Sequence, residues 1–262
     1  MRGALACLTV WAAGCASLGA PGPVAADRPG FSDGTVALPP RALQLEAGVL
    51  DDRLGAAAGS PRTEYVALGQ TLLRAGVGYR TEVRVFGNSY ATRMTDGSST
   101  VHGAEDLKLG AKVNLHSLPD SVHAVFPTLA LLLATTLPTG SRGFSAGSAQ
   151  PEAKVAANWI TSTPLSISAE AGLNALQTPN GRATQTSTSL AGWWAMSPSV
   201  SAFVEGLLVR SASGSAAGAN EIDFGATYLV NQRLQIDASV GHGVGPSTAH
   251  EHFVDIGIAK RW

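Results

Sequence analysis

The chain has 262 residues, of which 14% are charged, with a formal net charge of −1 and 30 glycines. No block of like charge is present, which argues against a nucleic-acid partner. Charged residues usually make up about a quarter of a soluble chain, so the low figure also fits poorly with an ordinary water-facing surface, while the length suits one all-β domain.

Met1-Arg2 supplies a positive start, Gly3 to Gly14 is largely apolar, and Val24-Ala25-Ala26 offers small residues for cleavage. Residues 1–26 therefore read as a secretory signal peptide. A buried first helix competes poorly, because Pro21 and Pro23 follow and no helical polar face exists. Both cysteines, Cys7 and Cys15, lie in this segment, so a chain cut after Ala26 holds no thiol, disulfide or cysteine metal site. A second cut stays open. Ala12-Ala13-Gly14-Cys15 resembles a lipoprotein processing site, without the usual Leu or Ile three residues before the cysteine, and would leave Cys15 lipidated.

Beyond residue 26 no apolar run reaches the roughly 18 residues of a membrane helix. The longest, Ala124 to Ala134, contains Pro127. A membrane location would then require a closed barrel, since only helices and barrels satisfy their backbone groups in lipid. Residues 27–41, rich in Pro, Gly, Ser and Asp, read as an irregular periplasmic leader, and residues 42–262 as strands; in a barrel of intermediate bore, folded-in side chains or this leader are the candidates for a plug.

From Ala42 to Leu50, Leu43, Leu45, Ala47 and Val49 alternate with Gln44, Glu46 and Gly48, the period of a strand. A loop is expected over 51–62, a second strand over 63–75 with poor alternation, and a tight turn at Gly76-Val77-Gly78-Tyr79. The third strand runs to about Tyr90, with Thr81, Val83 and Val85 opposite Glu82, Arg84 and Phe86. A long polar loop is expected over 91–104. The fourth strand follows, with Leu107, Leu109, Ala111, Val113 and Leu115 facing away from Asp106, Lys108, Gly110, Lys112 and Asn114. After Leu118-Pro119-Asp120 comes a fifth strand (124–137), apolar on both faces, and then strands over 152–161, 165–174, 184–195, 200–210, 221–230 and 234–240. Loops are expected at 177–182, 211–219 and 242–251. The last ten residues alternate cleanly, with Val254, Ile256, Ile258 and Trp262 on one face and Asp255, Gly257, Ala259 and Arg261 on the other.

The fold class expected is all-β, a transmembrane antiparallel barrel of about 12 strands. Connections after odd-numbered strands read as long and polar, and those after even-numbered strands as mostly short. Such asymmetry is expected when one rim faces outside the cell, and it puts both termini on the periplasmic side. In such a barrel Gln44, Glu46, Glu82, Arg84, Lys108, Lys112, Asn114, Glu170, Glu205, Asp223, Asp237 and Arg261 point into the lumen, because a charge on the lipid face costs a few kcal/mol near the midplane. They either pair across strands to fill the lumen or line a solute path. Lys260 falls on the lipid face at the chain end, where its amine can snorkel to water. Trp262, Trp159 and Tyr228 suit an interfacial aromatic girdle, or plain packing.

His242, His250, Glu251 and His252 cluster in the last expected loop and have the donor types of a metal site, although His-X-His in a loop is more often solvated. No His-X-Ser occurs, so no catalytic residue is assigned and no cofactor is implied.

Several segments, in order, resemble a known family. They are Asp27-Arg28-Pro29-Gly30-Phe31, Ala42 to Gly48, Glu105 to Lys112, Leu137-Pro138-Thr139-Gly140, Phe203-Val204-Glu205 and Leu234 to Gly241. Together they look like the outer-membrane proteins of the meta-pathway of phenol degradation. The resemblance implies a Gram-negative outer-membrane barrel involved in uptake of small aromatic or hydrophobic solutes, with no binding residues to carry over. A non-transport structural or surface-exposed barrel is the alternative, and an outer-membrane hydrolase the third reading. The expected partners are outer-membrane lipid, a small-molecule solute and, through the C-terminal strand, the barrel-assembly machinery.

Overall fold

The computed structural model describes residues 22–55, 61–87, 89–116, 126–161, 163–178, 181–211, 219–245 and 252–262. Among these, no helix is long and apolar enough to cross a membrane. Fifteen strand segments form one antiparallel sheet: β1 (Leu43–Gly55), β2 (Thr63–Leu68), β3 (Gln70–Gly76), β4 (Thr81–Gly87), β5 (Tyr90–Thr95), β6 (Val101–Ala104), β7 (Lys108–His116), β8 (Thr128–Thr136), β9 (Gln150–Ile160), β10 (Leu165–Thr178), β11 (Gly181–Ala195), β12 (Val200–Ser211), β13 (Ala219–Asn231), β14 (Leu234–Gly243) and β15 (His252–Arg261). Three barrel strands are interrupted, as β2/β3, β4/β5 and β6/β7. The first break falls at Gly69, whose φ of 72° favours glycine. Counting each interrupted pair once gives a twelve-stranded barrel.

β15 pairs β14 on one side and β1 on the other, which closes the sheet. Closure leaves no unpaired edge in contact with lipid. The β1–β15 register runs from Gln44↔Arg261 to Leu54↔His252, with one irregularity between Gly48 and Leu50. That extra residue shifts the parity of β1. Gln44, Glu46 and Gly48 are buried below it, and Asp51 and Gly55 above it. We call the end where β1 begins and β15 stops the terminal rim, and the opposite end the far rim.

Side chains obey the expected two-sidedness. In β15, Phe253, Asp255, Gly257, Ala259 and Arg261 are buried while Val254, Ile256, Ile258 and Lys260 are exposed. Inside, polar groups dominate, and among the described residues Ala130, Leu132 and Ala156 on β8 and β9 form a small buried apolar cluster. Lys260 lies outward with its amine 5.1 Å from the Trp262 ring centre. Trp262 and Tyr228 are exposed on the outer face. Ile256→Lys is expected to destabilise the barrel by about 2–4 kcal/mol, the cost of a lipid-facing lysine near the midplane. Urea unfolding in lipid vesicles measures it, and a cost near zero would remove Ile256 from the lipid face.

The structure corrects several boundaries. The stretch 91–104, expected as loop, contains most of β5 and all of β6. β1 continues through Asp51–Gly55, and β10 and β11 run to Thr178 and from Gly181, so almost nothing remains of the loop expected at 177–182. Long and short connections therefore do not strictly take turns. The reason is physical: above the apolar band both faces meet water, and the hydrophobic alternation that marks a strand disappears. On β11, Arg182, Thr184, Thr186 and Thr188 are all exposed, yet the ladder to β10 is unbroken. The expected connection at Leu118-Pro119-Asp120, and the cysteines Cys7 and Cys15, lie outside the described residues.

Candidate functional site: the occupied lumen

The leader, read from sequence as an irregular segment before the barrel, runs inside it. Its polar groups are met one by one by inward side chains, and two walls of opposite character share the task.

The first wall is formed by β3, β4, β7 and β9. Asp27 lies 3.3 Å from Arg74 Nη1, 2.9 Å from Arg84 Nη2 and 2.7 Å from Lys112 Nζ. Asp33 takes Arg84 at 2.7 Å and Lys154 at 3.3 Å. Glu46, Glu82 and Glu170 sit among the same cations: Arg74 is 2.8 Å from both Glu46 and Glu82, and Lys154 is 3.0 Å from Glu170. These carboxylates also hold the leader backbone. The Leu38 N–H donates to Glu82 Oε2 at 2.8 Å and the Asp33 N–H to Glu170 Oε2 at 3.0 Å. Asn114 Nδ2 donates to Thr35 O at 3.0 Å, and Arg74 Nη2 to Val36 O at 3.0 Å.

The second wall, on β12 to β15, is acidic. Arg28 makes a two-pronged contact with Asp255 at 2.6 and 2.7 Å and lies 3.5 Å from Asp237. Glu205 accepts the Phe31 N–H at 2.6 Å, the Ser32 N–H at 2.9 Å and the Ser32 hydroxyl. Asp223, opposite Glu205 in the ladder, is 1% exposed. The leader approaches so closely that a Cβ on Gly257 would lie 2.3 Å from Arg28 Nε, and one on Gly30 2.4 Å from Glu205 Oε2. A side chain at either position would have to displace the Arg28 guanidinium or the Glu205 carboxylate from its contacts.

Aromatic rings fill the gaps. Phe31 meets Phe253 edge-on at 5.6 Å, and Trp193 stacks on Phe203 at 4.5 Å. Between the leader and β9 to β12, toward the terminal rim, lies a cavity of about 270 Å³ lined by Ser166, Ser168, Trp193, Ser201 and Arg28 among others. Trp193 Nε1 donates to Ser168 Oγ there at 3.1 Å.

Of the residues expected in the lumen, Gln44, Glu46, Glu82, Arg84, Lys112, Asn114, Glu170, Glu205, Asp223, Asp237 and Arg261 are buried on the inner side. Lys108 is partly exposed and pairs with Glu152 at 3.3 Å. Arg261 sits at the terminal rim and donates to Pro23 O and Gly22 O. Sequence reasoning missed Arg74 and Lys154, which carry much of the first wall. Arg74 follows the doublet Leu72-Leu73, of which Leu72 is buried and Leu73 exposed, so the alternation was hidden. In β9 the run Glu152, Lys154, Ala156, Asn158 did alternate and was readable. In the proposed metal cluster, His242 and His252 stand opposite each other in the β14–β15 ladder with rings 4.9 Å apart. His250 and Glu251 lie outside the described residues.

Burial pushes the Asp33 carboxyl up, but Arg84, Lys154 and Lys112 together outweigh it and hold the group well below the usual carboxylate range. Asp27 is also pushed up by burial, and Arg74, Lys112 and Arg84 bring it below its usual value. Groups whose values are lowered on docking contribute stability that is complete above the free value, roughly pH 4, and is lost as pH falls through the docked value. The leader is therefore expected to stay seated from neutral pH down to about pH 4 and to loosen below it. Conductance recorded in a planar bilayer across this range checks the point, with a rise on acidification as the expected result.

The family described as Putative MetA-pathway of phenol degradation matches residues 26–249. No curated protein matches the chain in sequence. Among solved structures, an outer membrane channel from Pseudomonas putida F1 is similar over 90% of this chain and 99% of its own, with a TM-score of 0.69 and 12% identity. The NanC porin (TM-score 0.51, 11% identity, 83% of this chain and 98% of its own) shares the architecture. So does the β-domain of a Bordetella autotransporter (TM-score 0.53, 11% identity, 84% and 99%). At such identities the likeness is one of fold: the outer-membrane type of β-barrel.

Proposed function

We propose, because this chain belongs to the family described as Putative MetA-pathway of phenol degradation, that it is an outer-membrane channel for small aromatic solutes, gated by its own leader. The observation that carries the reading is the interior. A barrel serving only as a scaffold needs no lumen in which a separate segment is held chiefly by ions and hydrogen bonds, whereas a closable path does. Charged walls keep a path wet when the segment moves, and their mixed signs make it weakly selective.

The cavity beside Trp193 supports the aromatic part of the reading. A stacked Trp193–Phe203 pair offers a ring face, and Ser166, Ser168 and Ser201 offer hydroxyls at its edge. That combination suits a one-ring solute bearing a polar group. The role is non-enzymatic, with both termini in the periplasm and lipid against the outer face. The alternative, a structural or surface-exposed barrel, draws on the same occupied lumen and requires that the leader never leave it.

Planar-bilayer recording decides between them. The full-length barrel is expected to conduct weakly, and phenol is expected to reduce the current by occupying the path. A folded, heat-modifiable barrel that never conducts, with its leader intact or removed, would sink the channel reading.

A further inference from the structure

The charged cluster on the first wall does not balance. Among the described residues, Asp27, Asp33, Glu46, Glu82 and Glu170 are linked through Arg74, Arg84, Lys112 and Lys154 into one network of five carboxylates and four cations. Arg74, Lys112, Glu46 and Glu82 have fully buried side chains. A surplus negative charge among them is costly, because a buried charge without a partner keeps its desolvation penalty. One oxygen marks where the deficit lies. Glu46 Oε1 accepts from Arg74 and Gln44, both at 2.8 Å, while Oε2, among the described residues, accepts from the Asp27 backbone nitrogen alone, at 2.9 Å.

That nitrogen belongs to the bond that the Val24-Ala25-Ala26 signature marks for cleavage. We propose that hydrolysis between Ala26 and Asp27 supplies the missing cation, turning the Asp27 amide into an α-ammonium group seated on Glu46. Water adds across the peptide bond. Its oxygen goes to the Ala26 carbonyl carbon, which leaves as a carboxylate on the released peptide, and the Asp27 nitrogen ends with three hydrogens and a positive charge. The network then holds five charges of each sign, and a charge-assisted bond replaces a neutral one at Glu46.

The surroundings tolerate the loss of residues 22–26. Ala25 O accepts from Gln44 Nε2 at 3.1 Å and Arg74 Nη1 at 2.9 Å, and both donors also reach Glu46 Oε1, so neither is orphaned by the cut. Upstream, Val24 N donates to Gln232 O and Arg261 reaches Pro23 O and Gly22 O, contacts at the terminal rim that do not enter the network. Processing and plug seating are thereby one device. With the Asp27 amide intact the network is one cation short, and with the α-ammonium in its place the charges balance.

Two measurements on protein purified from outer membranes test this. Intact mass and N-terminal sequencing should give a chain that starts at Asp27, and a start anywhere upstream overturns the proposal. The α-amine should also react with an acylating reagent at pH 8 roughly four- to fivefold more slowly in the folded barrel than after heat unfolding, since an ion pair that raises an α-amine pKa of about 7.8 by one unit lowers the free amine at that pH from about 60% to about 14%. Equal rates in the two states overturn it. Burial alone would slow both wild type and variant, so Glu46→Gln is the second arm. It should restore most of the lost reactivity, and Glu46→Asp should keep the protection. A Glu46→Gln barrel labelled as slowly as wild type removes Glu46 as the partner.

Discussion

Asp27→Asn is expected to unseat the leader and raise single-channel conductance severalfold, while the barrel itself still folds. One carboxylate is shared by three cations, at 3.3, 2.9 and 2.7 Å, and the side chains of Arg74, Arg84 and Lys112 are 0 to 3% exposed. Removing the charge leaves Arg74 on Glu46 and Glu82 and Arg84 on Asp33, but it strips Lys112 of its near partner, with Glu82 next at 3.8 Å. Breaking a buried ion pair by deleting one partner costs about 3–5 kcal/mol, and here no solvent screens the loss. The strain falls on the leader rather than the staves, because the leader is held by side chains while each stave is held by two ladders. Release of the leader lets water reach Arg74, Arg84 and Lys112 and offsets the loss. Bilayer recordings of wild type and variant at neutral pH measure the effect. Unchanged conductance, together with continued protection of the leader from protease, would show that Asp27 is not what holds the plug.

Removal of Phe253 to Trp262 should abolish stable insertion. The removed residues supply one side of two ladders, from Gly241↔Phe253 to Leu234↔Lys260 with β14 and from Arg53↔Phe253 to Gln44↔Arg261 with β1. Without them the edges of β1 and β14 are left open in lipid, where each unpaired backbone group costs several kcal/mol. They also include Gly257 and Asp255, the floor and counter-ion for Arg28. The C-terminal strand is further proposed as the segment read by the assembly machinery, so truncation acts on delivery as well as stability. Loss of the heat-modifiable band from outer-membrane fractions is the readout. A truncated chain that still gives that band would refute the closing role of β15.

These outcomes reach back to what was legible beforehand. The strands from Lys108 to His116, Leu234 to Gly243 and His252 to Arg261 were readable because apolar and polar residues alternate through them, as lipid on one side and a polar lumen on the other require. β5 and β6 were unreadable for the converse reason: Thr92, Arg93 and His102 lie in hairpins whose two faces are both wet. Inward charges followed from the same parity rule wherever the alternation was clean, as at Glu82, Arg84 and Lys112, and were lost where it was not, as at Arg74.

The sequence by itself determined the period and the polar side of the strands that alternate cleanly, and carried the export signature ahead of them. All are local properties, set by neighbours along the chain. Only the tertiary structure decided what fills the lumen. Asp27 lies 47 residues from Arg74 and 85 from Lys112, and Arg28 lies 227 from Asp255. Nothing in the period of a strand says which side chains from distant staves will face the same point on the barrel axis. That juxtaposition depends on strand order, register and the single irregularity in β1, and it turns a stretch that reads as an irregular leader into a segment held by inward side chains from both walls.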